Sequence, residues 1–129
     1  GGFYGITQDT SIKDMTTACF LAITFQTKEI TSILEKYNIE INNLLIDGGM
    51  ANNGKFCQVL ADTLQKKILR PNNVESTALG ACKVAMIGSG ENIDEIPESI
   101  LTTFANNQKL LERYEEGFSI WRKYLSNSL

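Results

Sequence analysis

The chain has 129 residues, 43% hydrophobic and 21% charged, with two prolines, which fits one globular domain over 1–129 and excludes disordered, fibrous and low-complexity classes. Its net charge is −3 and its twelve basic residues are scattered, so no basic stripe matches a nucleic-acid backbone. No run approaches the roughly 20 apolar residues of a membrane span, and the N-terminus lacks the charged and apolar regions of a signal peptide, so the expected setting is cytoplasmic, away from the membrane.

The opening Gly1-Gly2-Phe3-Tyr4-Gly5 has no initiating Met, and the chain reads as a piece of something longer. Phe3 to Thr7 is apolar and aromatic, as a short strand would be. Ser11 followed by Asp14 has the spacing of a capping box. From Met15 the residues Ala18, Cys19, Ala22, Ile23, Phe25, Ile30, Ile33, Leu34 and Tyr37 keep the 3, 4 spacing of a helix, which Asn38 can stop. With Phe20 and Leu21 its first half is apolar nearly all round, so burial between layers is expected there, and a one-sided face in the second half.

Leu44-Leu45-Ile46 is a short apolar run ending at a turn signal, which predicts a central strand covered on both faces. Asn53 then caps a helix whose face carries Phe56, Val59, Leu60, Thr63 and Leu64. Lys67 to Leu69, before Arg70-Pro71, predicts a third strand. Ser76 to Met86 predicts a helix rich in small residues that ends at Gly88, with Gly80 kept for close packing. A loop follows, then a short helical piece near Ile93 to Ile96. A last helix carries Leu110, Leu111, Tyr114, Phe118, Trp121 and Leu125, an aromatic stripe expected in the core. The order of elements gives an α/β fold.

Three cysteines, Cys19, Cys57 and Cys82, match neither a metal spacing nor a disulfide framework and are expected as buried thiols. Histidine is absent, which removes Ser-His and Cys-His nucleophile pairs and His-based zinc sites. Any chemistry falls to carboxylates, backbone amides, Lys and Arg.

Gly49-Met-Ala-Asn-Asn-Gly54-Lys55-Phe56 is one residue short of a phosphate-binding P-loop, because Phe56 stands where a Ser or Thr would hold magnesium. Helical spacing puts Phe56 on the core face with Val59 and Leu60, and Lys55 points to water. What remains is a strand ending at Asp47, two glycines that let a ligand reach the backbone, and a helix start with its free amides and positive dipole end. Gly48, Gly49 and Asn53 stand beyond the carboxyl end of a strand, where α/β sheets bind ligands. A glycine turn with an Asn cap and no ligand fits that spacing equally well.

Five segments in order, "GFYGIT" leading into "AITFQTKEI", "LLIDGGMANN" with "FCQVLAD", "RP", "ESTALGACKVAMIGSG" and "ERYEEGFSIWRK", resemble the C-terminal part of the FGGY carbohydrate kinases, the glycerol kinases most closely. The pattern departs from that family at Gln8, Cys19, Leu21 and Gly54. The resemblance implies an RNase H-like subdomain of the actin and sugar-kinase type, a mixed sheet flanked by helices. It also implies that Gly48, Gly49 and Asn53 cup the adenosine end of ATP, and that glycerol or a similar polyol and most of the magnesium contacts belong to the other domain.

By the same resemblance the catalytic base lies upstream of Gly1, so no residue here is catalytic or a metal ligand. Asp47 is then a turn residue, Lys55 a bystander, and the isolated chain inactive. Self-association or dependence on a partner is expected from a subdomain cut out of a two-domain kinase. Two other readings stay open: a kinase remnant kept for contacts alone, and a degenerate P-loop domain.

Overall fold

The computed structural model describes residues 1–72, 75–93 and 100–126. Ser11 starts helix α1 (Ile12–Lys36): its hydroxyl accepts from the Asp14 amide while the Asp14 carboxylate accepts from the Ser11 amide and hydroxyl. Those bonds hold the Asp14 carboxyl below its ordinary pKa. After Tyr37, Asn38 takes a left-handed conformation at φ 60° and ends the helix.

Strand β1 (Asn43–Leu45), helix α2 (Gly54–Leu64) and strand β2 (Lys67–Pro71) form a βαβ unit. β1 and β2 are parallel, with Leu44 beside Ile68, and β3 (Leu101–Phe104) adds antiparallel on the other side of β2, with Ile68 beside Phe104. The sheet is therefore mixed and ordered β1-β2-β3. Helix α3 (Ser76–Ser89) lies between β2 and β3 in the chain, and α4 (Leu111–Ser126) follows β3. Among the described residues no helix is long and apolar enough to cross a membrane.

The core sits where α2 covers the sheet: Phe56, Leu60, Ala61, Leu64 and Ile68 are buried, with Phe20, Leu44, Ile46 and Phe104 packed against them. Phe20 of α1 meets Phe56 edge-on at 5.8 Å. Phe25 brings α1 against Phe118 and Trp121 of α4, at 5.6 and 6.0 Å. Of the expected α4 stripe Phe118 is therefore core, while Leu110, Leu111, Tyr114 and Trp121 are half-buried and Leu125 is exposed. Gly117 makes that approach possible, because a Cβ there would stand 3.1 Å from the Phe25 ring.

The buried threonine and aspartate side chains are matched. Thr24 and Thr63, both fully buried, pair through their hydroxyls, and the buried Asp62 accepts from Gln58 and from the Asn107 amide, tying α2 to the start of α4.

Several expectations are corrected. Phe3–Thr7 forms no strand: Gly5 turns at φ 75°, the Thr7 amide is spent on the Thr10 hydroxyl, and Tyr4 stacks instead on Tyr124 at 4.6 Å. β1 lies at the sheet edge rather than its centre, leaving Leu45 exposed. The first half of α1 is mostly exposed: Met15, Phe20 and Leu21 are half-buried and Thr24 at its end is buried, while Ile12 and Cys19 face out.

α3 runs past Gly88 to a left-handed Gly90, has no buried residue, and leaves open space at Gly80 and an exposed Cys82. Its small-residue pattern thus has no partner among the described residues. Most of the helical piece expected near Ile93 to Ile96 falls on 94–99, outside the described residues. β3 was not anticipated: four residues whose exposed and half-buried positions alternate are too short for a periodic signal.

Candidate functional site

The site is the connection that leaves the carboxyl end of β1. Asp47 is exposed, and Gly48 turns the chain at φ 84°, ψ 179°, a conformation nearly restricted to glycine. Gly49–Asn52 then make one 3-10 turn, closed by the Ala51 amide on the Gly48 carbonyl at 3.0 Å. Gly49 and Met50 open this turn, so their amides have no partner within it. A Cβ placed on Gly48 or Gly49 would meet nothing within 4 Å, so the backbone there is bare and open to an approaching group.

Asn53 links the turn to α2. Its amide donates to the Met50 carbonyl, and its Oδ1 accepts from the Lys55 and Phe56 amides at 3.0 and 3.3 Å. The expected cap is present, with a correction to the expected free amides: Asn53 itself takes two of them. What the helix start still offers a ligand is its dipole and the outward side-chain amide of Asn53. Phe56 is buried in the core and Lys55 is exposed, as helical spacing requires. Gly48, Gly49 and Asn53 thus share one short connection.

Beneath the turn is a feature that the sequence alone did not single out. The Ala51 carbonyl accepts from Arg70 Nη1 at 3.1 Å and from the Cys57 thiol at 3.2 Å. Burial pushes the Cys57 thiol up in pKa, opposed by the nearby Arg70 charge. Arg70 in turn lies over the Phe104 ring, 5.4 Å from its centroid. The only available signal was Arg70 itself, a cation at the end of an apolar strand.

A cavity of about 470 Å³ lies elsewhere, between α1, the end of α2 and α4. Its cations are already neutralised: Lys28 pairs with Glu115 at 2.6 Å and Lys66 with Glu35 at 2.5 Å. Lys28 also donates to the Thr63 carbonyl and lies over Phe118, so it serves packing. Among the described residues no group of three or more His, Cys, Asp or Glu gathers to hold a metal ion.

Fold and loop together define an RNase H-like module of the sugar-kinase class, a small mixed sheet flanked by helices. Residues 1–89 match the model for the FGGY family of carbohydrate kinases, C-terminal domain, and the chain belongs to that family. It is similar to a glycerol kinase of Lactobacillus acidophilus, 37% identical over 99 residues, covering 74% of this chain and 20% of that protein. A glycerol kinase of Lactococcus lactis is 33% identical over 127 residues, 95% of this chain and 26% of its own length. The solved Plasmodium falciparum glycerol kinase with ADP superposes with a TM-score of 0.70 at 25% identity, covering 98% of this chain and 26% of that one. The chain thus spans about a quarter of the length of the proteins it resembles.

Proposed function

We propose that residues 1–129 form the adenosine-binding wall of a cytoplasmic FGGY kinase that transfers the γ-phosphoryl group of ATP to glycerol or a related polyol. The observation that carries this reading is the bare glycine connection at the carboxyl end of β1, with Asn53 at its far side. A planar base and ribose can lie against Gly48 and Gly49 with no Cβ to hold them off, while Asn53 offers its side-chain amide. Kinship with glycerol kinases, one of them solved with ADP, supports both the nucleotide and the polyol.

The residues here are assigned to binding and orientation, and the group that takes a proton from the polyol to the remainder of the kinase. Magnesium fits poorly, since Asp47 is the carboxylate beside the loop and no ligand cluster surrounds it among the described residues. The ion and the polyol are assigned to the remainder of the kinase, and residues 1–129 alone are expected to phosphorylate no glycerol.

The test is calorimetric titration of the chain with ATP. Asn53→Ala and Gly49→Val are expected to weaken binding by about tenfold or more, the loss of roughly 1.4 kcal/mol, while Lys55→Ala stays within about twofold. Asn53→Ala also removes a helix cap worth about 1 kcal/mol, so melting curves accompany the titration. Unchanged affinity in both of the first two variants would sink the proposal. Binding abolished by Lys55→Ala would instead favour a P-loop mode, and absence of heat at millimolar ATP a remnant kept for contacts.

A further inference from the structure

We infer that Arg70 is a positioning residue for the nucleotide connection: its guanidinium, seated over Phe104, holds the Ala51 carbonyl and so fixes the 3-10 turn that presents Gly48, Gly49 and Asn53. This rests on the reading of that connection as a nucleotide site, and it adds what sets the connection's shape.

Ala51 is 1% exposed, so its carbonyl must find donors inside the protein. It has two, and they are unequal. The Cys57 thiol is a weak donor, whereas the Arg70 Nη1 bond is charge-assisted. Arg70 belongs to the central strand, paired with Thr102 of β3, which anchors its backbone to the most constrained part of the sheet. Phe104, from the same neighbouring strand, carries the guanidinium on one side and stands 3.8 Å from where a Cβ of Gly54 would be. Sheet, turn and helix start therefore meet at one side chain.

A second observation shows that packing alone does not explain the residue. Arg70 Nε is buried and donates to nothing among the described residues, a state that ordinarily costs stability. A Met or Leu would cover Phe104 without leaving that donor unmade. What neither could do is bond the Ala51 carbonyl. Arg70 reaches no ligand-facing surface by this bond; it acts through the turn.

The experiment uses the whole chain and its Arg70→Met and Arg70→Lys variants, with two readouts. Amide hydrogen exchange is followed by NMR without ligand, and adenosine and ADP are titrated by calorimetry. In Arg70→Met the Ala51 and Asn53 amides are expected to exchange about tenfold faster while those of Leu60 and Ala61 keep their rates. Adenosine and ADP affinity should both fall about fivefold, as the competent loop population falls by that factor, and Arg70→Lys should recover part of the loss.

Exchange that rises equally through α2 would mean a merely structural role and overturn the inference. Wild-type binding that Arg70→Met leaves intact overturns the positioning role alone. A wild-type chain that binds neither adenosine nor ADP overturns the nucleotide reading, and the inference with it. Should Arg70→Met fail to fold, Phe104→Leu keeps the donor and removes its seat; affinity is then expected to drop in the same direction, and unchanged affinity and loop exchange overturn the inference.

Discussion

Phe56→Ala lowers the stability of the chain by about 3–5 kcal/mol, measured as a shift in the urea midpoint at constant slope. Phe56 is 6% exposed, fills the space between α2, α1 and the sheet, and meets Phe20 edge-on. A domain of this kind holds about 5–15 kcal/mol in all, so the loss takes much of its margin. Phe56→Ser is the sharper variant, since it restores the hydroxyl of a P-loop at the same position. It leaves the same cavity and adds a hydroxyl to an apolar pocket, so it is expected to be at least as destabilising. A Phe56→Ser chain that folds normally and gains magnesium-dependent ATP affinity would show that the position belongs to a phosphate loop.

The second large effect is expected at Gly48, and comparison with Gly49 isolates its cause. Both positions have open space where a Cβ would go, yet only Gly48 has a positive φ. Gly48→Ala therefore costs about 1–3 kcal/mol through backbone strain alone. Gly49→Ala should melt near the wild-type temperature. Under the proposed function both weaken ATP, Gly48→Ala by moving the turn and Gly49→Ala by placing a methyl on the surface the nucleotide uses. Equal melting temperatures for the two variants would show that the Gly48 conformation is not strained for alanine.

How much of this could be read from the chain follows from the range of the interactions. Ser11 with Asp14, Asn38 and Asn53 act on backbone groups within four residues, and each cap is where its spacing puts it. The buried face of α2 was equally legible, because Phe56, Leu60 and Leu64 repeat at helical period against a sheet.

Judgements of layer failed where neighbours decide. The apolar first half of α1 and the small residues of α3 suit close packing, yet most of that stretch of α1 is exposed around its Phe20 contact with the core, and no residue of α3 is buried. Phe3–Thr7 has strand composition, but its amide goes to a hydroxyl three residues away. β3 and the Arg70 bond to Ala51 are long-range pairings with no local signature. Gly48, Gly49 and Asn53 were legible as a group because they lie within six residues, whereas the support beneath them comes from a different strand.

The Cys57 thiol, described above as a hydrogen-bond donor beneath the turn, also makes the molecule its own chemical reporter. Alkylating reagents attack thiolates that they can reach. Cys19 and Cys82 are exposed and react directly, while Cys57 is buried and held by burial toward the protonated form. Its modification must wait for an opening that separates α2 from the 3-10 turn. Two fast thiols and one slow one therefore give a built-in clock: the rate of the third measures how often the floor of the glycine connection comes apart.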